Sequence, residues 1–174
     1  FTDRELYEKM PLHPNVNYIY RNNKDLTFTN MAAEWGFNIK SFSNGSTYAD
    51  LDNDGDLDLI VNNINSNAYI YRNNAEKLLK NHYLSVVLKG KGLNINGIGA
   101  RVIIYCNGSK QVSEQFPVRG FLSSTTGVLH FGLGNSTKID SLTVRWPDMS
   151  EQTLKDDVKV VLLDRSAQLG KRQS

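Results

Sequence analysis

The sequence predicts an all-β chain: a terminal β-propeller-blade segment in residues 1–78, then a small antiparallel β-sandwich or barrel domain in 79–174. Three observations carry this. Tyr18-Ile19-Tyr20-Arg21-Asn22-Asn23 recurs unchanged as Tyr69-Ile70-Tyr71-Arg72-Asn73-Asn74, at an offset of 51 residues, the size of one propeller blade of four short strands. Asp50-Leu51-Asp52-Asn53-Asp54-Gly55-Asp56-Leu57-Asp58 is an acidic segment running straight into the apolar Leu59-Ile60-Val61. From about Leu79 onward, short alternating segments follow one another between Gly, Asn and Pro turns, the pattern of a compact sandwich or small barrel.

Residues 1–15 are polar, with Pro11 and Pro14 around Leu12-His13. They read as an irregular lead-in with at most one helical turn around Arg4–Lys9, and His13 as a surface residue. Thr27–Met31 is expected as a strand and Met31–Trp35 as a short turn. Ser46–Ala49 forms a strand entering the acidic segment, and Leu57–Asn62 a strand leaving it. The period of two puts Leu57, Leu59 and Val61 on one face. In the second half, strands are expected at His82–Lys89, Ala100–Cys106, Lys110–Val118, Val128–Leu133, Ile139–Trp146, Gln152–Leu154 and Val158–Leu163. Leu142, Val144 and Trp146 should point inward, Thr143 and Arg145 outward. No long helix is expected after residue 80, and Lys171-Arg172 falls in a short disordered tail.

The acidic segment carries the chemistry. Five carboxylates alternate through nine residues with no Lys or Arg among them. Same-face carboxylates about 7 Å apart repel by roughly 0.6 kcal/mol per pair even in water, and more near a protein. A folded loop bearing that charge needs a cation. Oxygen donors at loop positions 1, 3, 5, 7 and 9 with Gly at 6 describe a Ca²⁺ loop, here Asp50, Asp52, Asp54, Asp56, Asp58 and Gly55. It is not an EF-hand: position 12 is Val61, and no amphipathic helices flank it.

Composition excludes some classes. Apolar content of 40%, charged content of 22% and net charge +2 are those of an ordinary globular chain. Residues 1–80 carry 8 Lys+Arg against 11 Asp+Glu, and residues 81–174 carry 12 against 7. Neither half has a dense basic stripe, so nucleic-acid binding has no electrostatic footprint. No apolar run approaches a membrane span. The single Cys106 rules out an internal disulfide. Three Asn-x-Ser/Thr triplets, at Asn44, Asn107 and Asn135, read as turn chemistry among 19 Asn. The chain begins at Phe1 and reads as a piece of a longer protein.

Gly45 through Asn63, followed by Asn67 through Asn74, resembles one FG-GAP/VCBS repeat, the blade unit of integrin-α-type propellers and of many bacterial surface proteins. Asn17–Phe37, with Thr27-Phe28-Thr29 and Trp35-Gly36-Phe37, is similar to the second half of a preceding repeat. The resemblance implies about one and a half blades and one calcium loop. Gly97-Ile98-Gly99-Ala100-Arg101-Val102, Gly120–Ser124, Leu129-His130-Phe131-Gly132-Leu133-Gly134 and Ile139–Asp148 resemble the ASPIC/UnbV domain. That domain is found at the end of cartilage acidic protein and of many bacterial repeat proteins. One departure is Met149, where the family usually has Gly after Trp-Pro-Asp.

No catalytic site is expected. His130, between Leu129 and Phe131, reads as structural. Cys106 has no basic neighbour to lower its pKa, Ser123-Ser124 lacks a nucleophile elbow, and Gly132-Leu133-Gly134 opens no helix. Arg101, Arg119 and Arg145 read as a solvated polar face. Tyr18, Tyr20, Tyr69 and Tyr71 read as packing between blades. The resulting expectation is a non-catalytic, calcium-stabilised interaction or adhesion module, extracellular or at the cell envelope. Its ligand would be a protein or glycan at a surface, with no nucleic acid and no membrane span. Open sheet edges lead to the expectation of either a homodimer through the Asn17–Asn74 region or a region kept short and covered by the second domain. The alternatives are a carbohydrate-binding module of a polysaccharide-handling surface protein, and the accessory region of a hydrolase whose catalytic part lies elsewhere.

Overall fold

The computed structural model describes residues 2–9, 13–155 and 161–164. The expected tail at Lys171-Arg172, together with Pro11, Leu12 and the start of the Val158–Leu163 strand, lies outside the described residues. Strands dominate, and the chain is all-β as expected. The first half contains helix α1 (Asp3–Lys9) and strands β1 (Asn15–Val16), β2 (Tyr20–Asn22), β3 (Phe28–Asn30), β4 (Lys40–Ser41), β5 (Ser43–Ala49), β6 (Asp58–Asn63) and β7 (Tyr69–Tyr71). Then follow helix α2 (Ala75–Leu78), β8 (His82–Lys89), β9 (Arg101–Cys106), β10 (Ser109–Glu114), β11 (Val118–Gly120) and β12 (Ser123–Ser124). The last elements are β13 (Val128–Gly134), β14 (Ser141–Arg145), β15 (Glu151–Lys155) and β16 (Val161–Asp164). The chain divides into two compact units, 1–46 with 60–70 and 47–59 with 71–174.

In the first unit β1 pairs antiparallel with β4, and β2 with β3. The β2–β3 connection uses left-handed backbone at Lys24 and Leu26, and the Asn23 amide ties it by donating to the hydroxyls of Thr27 (2.9 Å) and Thr29 (3.0 Å). The expected turn after β3 is present: the Trp35 N–H donates to the Met31 carbonyl and Phe37 N–H to that of Ala32. Met31, Ala32 and Phe37 are its buried residues. Tyr18 and Tyr20 are not packed as expected. They are 65% and 55% exposed and stack on each other, ring centroids 6.4 Å apart. The identical hexapeptide therefore meets different surroundings in its two copies, since Tyr69 and Tyr71 are partly buried.

Strands β5, β6 and β7 form a three-stranded sheet in that order. The acidic segment is the connection from β5 to β6, the strand-to-strand corner that the sequence indicated.

The second unit holds the main core. A four-stranded antiparallel sheet runs β10-β9-β14-β15, and a three-stranded one runs β13-β8-β16, with β13 antiparallel and β16 parallel to β8. Period-two alternation buries Leu84, Val86 and Leu88 of β8 and Leu129 and Phe131 of β13. It does the same for Val102, Ile104 and Cys106 of β9 and Leu142 and Val144 of β14. These side chains form one cluster with Ala100, Ile139 and Trp146. The buried indole N–H is satisfied by Gln152 Oε1 at 2.8 Å. Two sheets sharing one apolar layer form an open sandwich.

The expected single strand Lys110–Val118 ends instead at Glu114. Gln115 is buried, and its amide donates to the carbonyls of Asn96 (3.2 Å) and Gly127 (2.9 Å). Pro117, which lacks an N–H, follows and stops the ladder. The chain resumes as the β11–β12 hairpin.

Candidate metal centre

Two left-handed residues, Asn53 (φ 61°) and Gly55 (φ 94°), curl the acidic segment back on itself. Gly55 meets two demands at once. A Cβ at this position would land in the ring of Tyr83, so glycine is required for close approach as well as for its φ. The loop's N–H groups then turn onto its own carboxylates: Gly55 N–H to Asp50 Oδ2 (3.2 Å) and Asp56 N–H to Asp54 Oδ1 (3.2 Å).

The carboxylates gather into two groups whose oxygens lie within 4.8 Å of one another: Asp50, Asp52 and Asp54, and Asp54, Asp56 and Glu76. Asp54 belongs to both. Several oxygens are already engaged. Asp50 Oδ2 accepts from Gly55, and Asp56 Oδ2 accepts the Glu76 N–H at 3.1 Å. The other oxygen of each residue, Asp50 Oδ1 and Asp56 Oδ1, is buried without a hydrogen-bond partner. A buried carboxylate oxygen with nothing to accept from is costly. An all-oxygen donor set with two unsatisfied buried atoms fits a hard cation, for which carboxylates are the usual ligands.

Asp58 stands apart from both groups. It is 2% exposed, and both its oxygens accept backbone N–H groups, Oδ2 from Leu51 (3.1 Å) and Oδ1 from Asn73 (2.9 Å). It closes the loop and ties it to the second copy of the repeated hexapeptide. Glu76, from the short helix α2 just after that hexapeptide, completes the second group in its place. Loop position 12, where an EF-hand carries its bidentate Glu, is Val61 here. The usable signal was that Glu76 is the only carboxylate between Asp58 and Glu114.

Sequence reasoning also missed Arg72. The loop contains no basic residue, but the Arg72 guanidinium reaches in from the hexapeptide. Its Nη2 lies 2.8 Å from Asp52 Oδ2, 3.1 Å from Asp54 Oδ2 and 3.7 Å from Glu76 Oε1. The electrostatics follow from this geometry. Burial pushes the Asp56 carboxyl up, and the Asp54 and Glu76 charges add to this against the Glu76 N–H bond. Burial also pulls Asp54 upward, but the Arg72 and Asp56 hydrogen bonds outweigh it and hold Asp54 below the usual carboxylate range. The Arg72 guanidinium is held up by its bond to Asp54 and the charge of Asp52.

Behind Gly55, Tyr83 stacks on His130, ring centroids 5.2 Å apart and planes 13° from parallel. Burial lowers the His130 pKa, partly opposed by the charge of Asp50. His130 lines a cavity of about 120 Å³ with Tyr48, Leu57, Gln115, Arg119 and Thr125. Of the other reactive side chains, Cys106 is buried and donates its S–H to the Lys138 carbonyl (3.3 Å), while the Ser123 hydroxyl donates to the Phe121 carbonyl (2.8 Å). Arg101 pairs with Glu114 and Arg145 with Glu151 across strands, and Arg119 donates to the Glu114 carbonyl.

Comparison with known families gives two matches. Residues 12–61 match the family model of the FG-GAP-like repeat, and residues 90–161 match that of ASPIC and UnbV. An FG-GAP-like repeat followed by an ASPIC and UnbV domain is the order expected from the residues. FG-GAP repeats are typical of extracellular proteins and often bind Ca²⁺. No curated protein gives a match to the chain. Among the described residues, no helix is long and apolar enough to cross a membrane.

Proposed function

We propose that this chain, an FG-GAP-like repeat followed by an ASPIC and UnbV domain, is a calcium-stabilised, non-catalytic interaction or adhesion module working outside the cell or at the cell envelope. Asp50, Asp52, Asp54 and Asp56 hold the ion with Glu76, and Asp58 is the loop's anchor. The observation that carries the reading is the pair of buried, unpartnered oxygens, Asp50 Oδ1 and Asp56 Oδ1, in two groups of converging carboxylates. When bound, calcium supplies the positive charge these oxygens lack. Glu76 would contribute its carboxylate to the site from α2. Millimolar extracellular calcium suits weak loop sites of this kind.

The test is a thermal melt of the chain in calcium and in chelator. A ligand at about 100 times its Kd adds roughly 2.7 kcal/mol, which for a chain of this length raises Tm by roughly 5–10 °C. Asp54→Ala should remove the increment, because Asp54 is shared by both groups. Identical melts of the wild type with and without calcium refute the reading. The non-catalytic part rests on Cys106 and Ser123 being spent on backbone carbonyls and His130 being stacked on Tyr83. Turnover on an ester, glycoside or phosphate panel would overturn it.

A glycan-binding reading is favoured by one observation, the exposed stacked pair Tyr18–Tyr20, since flat aromatic faces suit sugar rings. Binding on a glycan array that Tyr20→Ala abolishes would support it, and no binding would remove it. A second copy is a further proposed partner, through the edges of the short sheets such as β2–β3. Sedimentation showing only monomer would exclude it.

A further inference from the structure

We propose that Arg72 is a built-in counter-cation of the acidic loop, which calcium must displace, so that this one side chain sets the calcium concentration at which the loop fills. The inference rests on the calcium reading above. One nitrogen of the guanidinium lies within 2.8 to 3.7 Å of Asp52, Asp54 and Glu76. These are one member of each carboxylate group plus the member they share. A divalent cation takes such oxygens at about 2.3–2.6 Å. The guanidinium already engages Asp52 Oδ2 and Asp54 Oδ2, and a divalent cation among the same carboxylates would be repelled by its charge, so binding and the Arg72 ion pairs oppose one another.

The surroundings suit a displaceable cation rather than a fixed one. The backbone beside Arg72 is pinned, because the Asn73 N–H is held by the buried Asp58 at 2.9 Å. The side chain itself is 51% exposed and can swing into water without leaving a cavity. Arg72 thus stays within reach of the loop whether or not it occupies it. The repeat supplies an internal comparison. Arg21 holds the same place in the first copy of the hexapeptide, and it makes no ion pair among the described residues. The acidic loop, and not the Arg-Asn-Asn sequence, is what captures the guanidinium.

The experiment is calcium titration calorimetry on the wild-type chain and on Arg72→Gln, with melts of both in chelator. Exposed ion pairs are each worth a factor of about 1.5–5, and two close ones are lost, so Arg72→Gln should bind calcium roughly tenfold more tightly. In chelator the same variant should melt lower than wild type, because Asp52 and Asp54 lose the guanidinium and, among the described residues, only the Lys77–Glu76 pair at 3.3 Å is left on these carboxylates. A residue that merely supported the loop would lower both quantities. If wild type binds calcium and Arg72→Gln binds it equally or more weakly, the Arg72 inference falls and the calcium reading stands. If neither protein takes up calcium, both fall. Should Arg72→Gln fail to fold, Arg72→Lys carries the comparison: it should bind more tightly than wild type by a smaller factor, and equal or weaker binding overturns the inference.

Discussion

Replacing Gly55 by alanine should destabilise the chain through two separable causes. At φ 94° an alanine carries the left-handed backbone cost of about 1–2 kcal/mol. Its Cβ would also occupy the place of the Tyr83 ring, so Tyr83 must turn away from His130. Losing that stacked pair costs a further 0.5–1.5 kcal/mol, roughly. The total is about 1.5–3.5 kcal/mol, or a Tm lower by roughly 3–14 °C for a chain of this length. Urea unfolding of wild type, Gly55→Ala, Tyr83→Ala and the double variant separates the causes. With Tyr83 already truncated, Gly55→Ala should cost only the backbone part, leaving a coupling of about 1 kcal/mol. Equal losses in both backgrounds would refute the contact between loop and ring. A loss in the wild-type background well under 1 kcal/mol would refute the left-handed geometry as well.

Two further outcomes follow from single residues. Asp58→Asn puts an amide donor against backbone N–H groups in a buried site and should cost about 2–3 kcal/mol. Chemical denaturation should show the same loss in calcium and in chelator, since Asp58 lies outside both carboxylate groups; a loss seen only in calcium would make it a ligand. Met149 sits at φ 68° with an exposed side chain in the β14–β15 turn, where its N–H donates to the Trp146 carbonyl at 2.9 Å. Met149→Gly should therefore stabilise by about 0.5–1 kcal/mol, and a lower melting temperature would contradict this.

The second unit was legible where one face of a strand is buried. His82–Lys89 was read residue for residue because its alternation puts Leu84, Val86 and Leu88 into the core. Leu142, Val144 and Trp146 were placed inward for the same reason, and all three are buried. Periodicity failed at Gln115, where a buried amide and the following Pro117 end a strand that the pattern would have continued. The candidate site was half legible. Alternating Asp and the single Gly fixed the loop, its position between β5 and β6, and its carboxylates. Arg72 and Glu76 were not legible, because they reach the loop from 18 and 20 residues beyond Asp54 and Asp56 by tertiary folding. Asp58 illustrates the same limit. Spacing alone does not distinguish a carboxylate facing its neighbours from one turned onto backbone N–H groups. The repeated hexapeptide gives the plainest case, since identical residues carry a paired arginine in one copy and an unpaired one, among the described residues, in the other.

Whether the Asp50–Asp58 loop holds calcium is read most directly by calorimetric titration of chelator-stripped chain with calcium. Saturable binding of one ion per chain, abolished by Asp54→Ala, is the expected result. Heats no larger than those of dilution at millimolar calcium, or binding that survives Asp54→Ala unchanged, would contradict it.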